Sequence, residues 1–189
     1  FNPAVTELKR MVKERLLGEP LLLEFHRESK WAGVKDVGIV TDTSVHDIDT
    51  ARWIFDDEPN MVFARTGRVL GEHEDFAAII MGFSGQKTAF ITSNWVTPKR
   101  VRQLTAVCTE GTAVVDFITQ EIRVDSSGGT TIPRRPWEEP LMLELKGFLE
   151  CVEKRTKPLV SDRDAVNTSK IAEAALISSE TGSPIYLEL

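Results

Sequence analysis

Apolar positions along the chain recur first with a helical period, then with a strand period, then helically again. In FNPAVTELKRMVKERLLGEP, Val5, Leu8, Val12 and Leu16 return every three or four residues, which predicts an amphipathic helix. Pro3 suits its first turn and Gly18 its end. LLLEFHRES, residues 21–29, reads as a strand. WAGVKDVG follows as a loop punctuated by Gly33 and Gly38. A second helix begins near Asp42 and ends near Asp56–Pro59. The middle of the chain then switches to period two. MVFARTGRVL, DFAAIIMGF, KTAFITSNWV, VRQLTAVCT and TAVVDFI read as strands, with FSGQ, TPK and TEGT as turns between them. In KTAFITSNWV, Ala89, Ile91 and Ser93 fall on one face and Phe90, Thr92 and Asn94 on the other. QEIRVDSSGGTTI adds one or two strands. PLMLELKGFLECVEKR returns to the helical period, with Leu141, Leu145, Phe148, Leu149 and Val152 as its apolar face. DRDAVNTSKIAEAALISSE forms a further helix capped by Ser161 or Asp162, and PIYLEL closes as a strand.

The short links between strands favour an antiparallel meander. The whole is an α+β fold, a mostly antiparallel open sheet with helices on one face. The free face is one on which a sister subunit can dock.

One run resists this simple reading. TDTSVHDIDTARW, residues 41–53, places Asp42, His46, Asp49 and Trp53 in a narrow sector of a helix, with Val45, Ile48, Ala51 and Phe55 opposite. Thr41, Asp42, Thr43 and Ser44 are all competent N-caps, so Asp42 and His46 are expected one above the other on the first turn. The spacing admits three accounts. One is a cap with a modest i,i+4 pair. Another is proton transfer, with His46 as the base and a carboxylate holding its ring. The last is a divalent-metal site built from Asp42, His46 and Asp49, for which no HExxH motif and no cysteine pair offers support.

Composition narrows the partners. A net charge of −6 argues against nucleic acid. No apolar run is long enough to span a membrane, and no signal peptide opens the sequence. The two cysteines, Cys108 and Cys151, stand far apart and suit small hydrophobes in a reducing, cytoplasmic compartment. The sequence opens on Phe1 rather than Met and enters a helix at once, as a piece of a longer protein would.

DxxxHDID at residues 42–49, following a Gly-containing loop and preceding ARW, resembles the signature of the Gfo/Idh/MocA family of NAD(P)-dependent sugar oxidoreductases. FNPAV, with the Lys/Arg-bearing helix after it, resembles the start of that family's second domain. SNWVTPKRVRQL, CTEGTAVVDFITQEI and EPLMLELKGFLECVEKRTKPLVSDRDA resemble its UDP-N-acetylglucosamine 3-dehydrogenase-like branch, and the likeness runs over nearly the whole chain. The resemblance implies that residues 1–189 form a single substrate-binding and oligomerisation domain, like the C-terminal domain of glyceraldehyde-3-phosphate dehydrogenase. The family's Rossmann domain, with its GxGxxG loop and its catalytic Glu-Lys-Pro lysine, has no counterpart here. FSGQ and SSGG lie between strands and open no helix. NAD or NADP is therefore expected in the intact protein, with none held tightly by these residues alone.

By the same resemblance His46 is the acid/base that takes a proton from a sugar hydroxyl, and Asp42 is its partner carboxylate. Asp49 fits the motif, and fits equally an ion pair or cap that fixes the helix. Further candidates come from position. Arg27, near the end of a strand, suits a substrate phosphate or carboxylate, and equally a plain surface arginine; Lys99 and Arg100, in a cluster with Arg102, suit a diphosphate, with a solvated turn the simpler account. Asn94 and Trp95 suit a sugar face, with core packing the alternative for Trp95. Asn2 is placed near the cofactor of the intact protein. TIPRRPWEEP reads as a loop that drapes over a site or a neighbouring subunit. The function expected is that of the substrate domain of a sugar or nucleotide-sugar dehydrogenase. The alternative is a non-catalytic sugar-binding or dimerisation module.

Overall fold

The structure, a computed structural model, describes residues 1–30 and 36–189. Most of the loop expected at 31–38, Gly33 included, therefore lies outside the described residues.

Helix α1 spans Pro3–Lys13. Asn2 caps it, its Oδ1 accepting from the Ala4 N–H at 3.1 Å, and Pro3 occupies the first turn, where no amide partner is needed. Ala4, Val5, Leu8 and Met11 are buried. The helix stops well short of Gly18, and Leu16, expected on its apolar face, is 53% exposed. Arg15 takes a positive φ of 54° and begins the turn out of the helix. Gly18 (φ 77°) finishes it, where a Cβ would sit 2.1 Å from Thr109 Oγ1.

The strands are β1 (Pro20–Glu28), β2 (Met61–Gly67), β3 (Phe76–Gly82), β4 (Thr88–Asn94), β5 (Val101–Cys108), β6 (Gly111–Asp116), β7 (Ile122–Ser126), β8 (Gly129–Thr131) and β9 (Ile185–Tyr186). They form one open sheet in the order β8-β7-β6-β5-β1-β4-β3-β2-β9. All pairings are antiparallel except β1 with β4. The single meander expected from the short links is thus two meanders, β2-β3-β4 and β5-β6-β7-β8, with β1 inserted between them. The linker 95–100 makes this possible. It has to cross only two strand spacings, roughly 10 Å, to step over β1.

Alternation along the strands separates the faces. On one, Ile79, Ile91, Phe25, Leu104, Val115 and Ile122 form a continuous row of fully buried side chains across six strands. At about 1.5–3 kcal/mol per buried side chain, such rows dominate the stabilisation. Helices α1, α2 (Val45–Phe55) and α4 (Asp162–Thr181) cover this face. On the other face Phe63, Ile80 and Phe90 lie side by side on β2, β3 and β4, followed by Glu24, Thr105 and Val114. No helix covers them among the described residues.

Helix α3 (Pro140–Lys154) has no buried residue. Its expected apolar face is present, but Leu141, Leu145, Phe148, Leu149 and Val152 are all at least 50% exposed. The Pro-rich segment before it drapes over its own chain: Arg135 ion-pairs with buried Glu7 of α1, and Gln120 Nε2 donates to the Glu138 carbonyl at 2.7 Å. Cys108 is buried, which pushes its thiol pKa up to about 11; Cys151 sits partly exposed on α3. No helix among the described residues is long and apolar enough to cross a membrane.

Candidate functional site

The buried rows of the covered face turn polar at one end of the sheet. Beyond Ile91, Phe25 and Leu104 come their successors Ser93, Arg27 and Arg102, adjacent on β4, β1 and β5. Phe117 continues the row, its N–H donating to the Arg102 carbonyl at 2.9 Å. The start of α2 packs over this end, where Ser44 Oγ donates to Ser93 Oγ at 3.0 Å and both residues are buried.

The start of α2 differs from the capped N-terminus expected. A π-helical turn, Val40–Ser44, precedes the α-helix, and the Val45 N–H reaches back five residues to the Val40 carbonyl. Ile39 stands at the N-cap of the π-turn and Ser44 at that of the α-helix, and neither makes a side-chain cap hydrogen bond. The first free amides are taken instead by Glu74, from the β2–β3 connection. Its carbonyl accepts from Ile39 at 2.9 Å and its carboxylate from Val40 at 3.2 Å. A carboxylate at that position also meets the positive end of the helix dipole. Gly38 leaves room for it, since a Cβ there would fall 1.9 Å from the carboxylate.

The stripe of Asp42, His46, Asp49 and Trp53 lies on the outward side of this element, as expected, while Asp47, Ile48, Ala51, Arg52, Ile54 and Phe55 are buried. The carboxylate that organises the site is Asp47. Arg27 holds it in a fork: Nε donates to both carboxylate oxygens at 3.0 Å, and Nη2 to Oδ1 at 2.5 Å. The Arg27 guanidinium also lies over the Phe117 ring at 5.3 Å from its centroid. A residue of the HDID run was thus overlooked by the 3.6-residue stripe. The signal was available: an aspartate beside Ile48, on the apolar side of a helix, calls for a buried cation.

His46 sits next to this pair. Although the residue is exposed by area, the groups crowded beneath it lower its pKa, first by desolvation and then by the Arg27 charge, with Arg102 acting the same way; Asp47 and Asp42 oppose them. The imidazole is therefore neutral, and able to accept a proton, further into acid than a free histidine. Asp42 is exposed on the π-turn and accepts from Thr43 Oγ1 at 2.9 Å. Its charge reaches His46, favouring the imidazolium.

Other candidates go elsewhere. Asp49 joins a structural network with Thr168 and with buried Arg52, which is held by Glu58 through Nε and Nη2, each at 2.6 Å, and by Asp164. Asn167 donates to Glu58 at 3.0 Å, and Ser161 and Asp164 complete the capping box of α4. Of the two caps expected there, Ser161 is the one used. Burial raises the Asp49 pKa. Asn2, besides capping α1, donates through Nδ2 to the Phe117 carbonyl at 3.0 Å. Asn94 sits at the same end of the sheet but on the uncovered face, its Oδ1 accepting from Val96 and Thr97 at 3.1 and 2.8 Å. Trp95 is buried in the core. Lys99 and Arg100 are exposed in the linker, and the Arg100 charge reaches Arg102.

A cleft runs along the outward side of α2. Asp49, Thr50 and Trp53 form its floor, Phe1, Asn2 and Phe117 one wall, and Leu159, Val160 and Asp164 the other. Phe117 thus belongs both to the cleft and to the Arg27 stack. FSGQ joins β3 to β4 and SSGG joins β7 to β8. Among the described residues no glycine-rich strand-to-helix turn forms a dinucleotide site, so the residues present do not fit a tightly held nicotinamide cofactor.

Comparison with known proteins accords with this architecture. A family model described as the GFO/IDH/MocA C-terminal domain matches residues 5–114. Over an alignment of 211 residues that covers all of the chain and 60% of the relative, it is 26% identical to the scyllo-inositol 2-dehydrogenase (NAD(+)) of Bacillus subtilis (strain 168). Among solved structures, the aldose-aldose oxidoreductase from Caulobacter crescentus complexed with glycerol superposes with a TM-score of 0.87 at 20% identity. That match covers 97% of this chain and 60% of the other. The UDP-N-acetylglucosamine 3-dehydrogenase from Acidithiobacillus ferrooxidans superposes with a TM-score of 0.86 at 18% identity, over 95% of this chain and 59% of the other. Identities this low speak to the fold alone, and the chain spans about three-fifths of the length of these relatives. The open sheet, its helix-covered face and the match over more than half of the sequence make the chain a member of the GFO/IDH/MocA family, carrying its C-terminal domain.

Proposed function

We propose that the chain is the substrate-binding half of an NAD(P)-dependent dehydrogenase that oxidises a hydroxyl of a sugar, polyol or nucleotide sugar to a ketone. Within that class we favour a nucleotide sugar of the UDP-N-acetylglucosamine kind. The observation that carries the reading is His46, outward on α2 at a polar end of the covered face, beside the Arg27–Asp47 pair, with its pKa lowered by desolvation and by the Arg27 charge. A neutral imidazole accepts the hydroxyl proton as the alcohol is oxidised. The Arg27–Asp47 fork fixes the surroundings of its ring, and Asp42 stabilises the imidazolium once formed. NAD or NADP, the hydride acceptor in such a reaction, would be held by protein beyond these residues. The three-fifths coverage of the relatives and the uncovered apolar side of α3 both support a second domain. The uncovered sheet face, with Phe63, Ile80 and Phe90, supports self-association there.

The test is His46→Asn in the intact enzyme, assayed by reduced-nicotinamide absorbance with UDP-N-acetylglucosamine and with inositols as substrates. General acid–base catalysis accounts for roughly 10²–10⁴-fold in rate, so kcat falls by that order while KM changes little. An unchanged kcat would show His46 to be no acid/base, and would favour a binding module.

A further inference from the structure

Arg27 and Arg102 are directly opposite each other in the β1–β5 pair, on the same covered face. Like charges at such positions oppose strand pairing. Arg27 has its counter-charge in Asp47. Arg102 has none: it is half-buried, and among the described residues its guanidinium makes no ion pair and no hydrogen bond. Arg100, two residues back, adds to the positive charge, while Asp47, whose charge does reach Arg102, is already gripped by Arg27. Leu104, two residues on along β5 on the same face, is fully buried, so Arg102 stands where the packed row meets the polar end of the sheet. A free guanidinium fork in a partly desolvated place matches the two oxygens of a carboxylate or phosphate.

Resting on the function proposed above, we propose that Arg102 is a substrate-anchoring residue that takes an oxyanion of the substrate beside His46, and that the site thereby favours acidic or phosphorylated sugars over neutral polyols. Neutralising Arg102 has a second effect. Its charge is one of those that hold the His46 pKa down, so a bound oxyanion makes the imidazole a stronger base only when the right substrate is present.

The experiment follows the His46 ring by NMR during pH titration of the chain, with uridine diphosphate, D-glucuronate or myo-inositol as the added probe. The diphosphate and the uronate distinguish phosphate from carboxylate as the oxyanion. At least one of them binds and raises the His46 pKa; myo-inositol does not. Arg102→Met weakens oxyanion binding at least tenfold and abolishes the shift, while its urea midpoint is equal to or above that of the unsubstituted chain, because a like-charge contact has been removed. Arg102→Lys, which keeps the charge but loses the fork, recovers only part of the affinity. The proposal is overturned if neither oxyanion binds at millimolar concentration, if Arg102→Met binds them undiminished, or if that variant loses stability as a packed structural residue would. These outcomes are separate from the fate of the acid/base reading. Oxyanion binding that depends on Arg102, in an enzyme indifferent to His46→Asn, keeps the anchor and removes the base; the reverse combination does the opposite.

Discussion

At the scale of single residues, the site turns on the fork between Arg27 and Asp47. Asp47 has 2% of its side chain exposed and Arg27 11%, so removing the cation strands a buried carboxylate, at a cost of about 3–5 kcal/mol. Arg27→Met should therefore lower the urea midpoint markedly. The same change should raise the His46 pKa, because a cation that lowers it is gone and the Asp47 charge then acts unopposed. In the unsubstituted chain the NMR midpoint of His46 should lie below the ordinary 6.5; a midpoint at or above that value would contradict the geometry described. The sign of the linked stability follows. The unfolded chain binds the His46 proton more readily than the folded one, so this group's contribution is intact above about 6.5 and is lost as pH falls from there through the lowered folded value. The sequence singled out His46 and Asp42 by a motif and Arg27 by its place at a strand end, and the fold puts all three at one end of the sheet. It did not single out Asp47, since only the fold brings Arg27 beneath α2; the side-chain oxygens of Asn2 and Asn94, marked as binding residues, accept from the start of α1 and from the turn after β4.

Between elements, the strongest polar joint is Arg52, which ties α2 to the loop after it and to α4. Arg52 is 5% exposed, but Glu58 and Asp164 are each more than a third exposed and screened by solvent. Arg52→Met should thus cost about 2 kcal/mol, less than a fully buried pair. Hydrogen bonds from Arg52 to Glu58, and from Ser161 to Asp164, lead the causes that lower those carboxyl pKa values. Their contribution is present above the ordinary carboxylate range and lost as pH falls through the lowered folded values. Acid unfolding monitored by circular dichroism should be shallower in Arg52→Met; an identical acid limb would remove Arg52 from the account. Periodicity placed nearly every helix and strand, because side chains facing the core leave a local imprint. The π-turn left none: the amides of Ile39 and Val40 at its start are bonded by Glu74, 34 residues beyond Val40, and no local pattern records that.

At the scale of the whole molecule, two apolar surfaces have no cover among the described residues. On the sheet face, Phe63, Ile80 and Phe90 suit a second copy. Ile80→Lys with Phe90→Lys should convert a dimer to a monomer in sedimentation velocity, and an unshifted sedimentation coefficient would place the interface elsewhere. On α3, Leu149 and Val152 are each 60% exposed, so the isolated chain should bind the dye ANS. Leu149→Glu with Val152→Glu should reduce that binding without lowering the thermal midpoint, because neither side chain packs on its own chain; a large loss of stability would mean that α3 is seated after all. The α+β class and the open face followed from strand alternation and short links. The strand order did not, since the register between β1 and β4 is a pairing across more than sixty residues.

The placement of β1 has a kinetic meaning. Each meander can zip from its own turns, but they share no edge until the chain's first strand slides between them, and that closure must await β4 at one flank and β5 at the other. Sheets made by such distant pairings fold slowly. Arg27 enters the site on that strand, opposite Arg102, so the repulsion between them is met when β1 pairs with β5. An oxyanion trapped between the two halves would then act as a clasp, slowing their separation and lengthening the life of the assembled sheet.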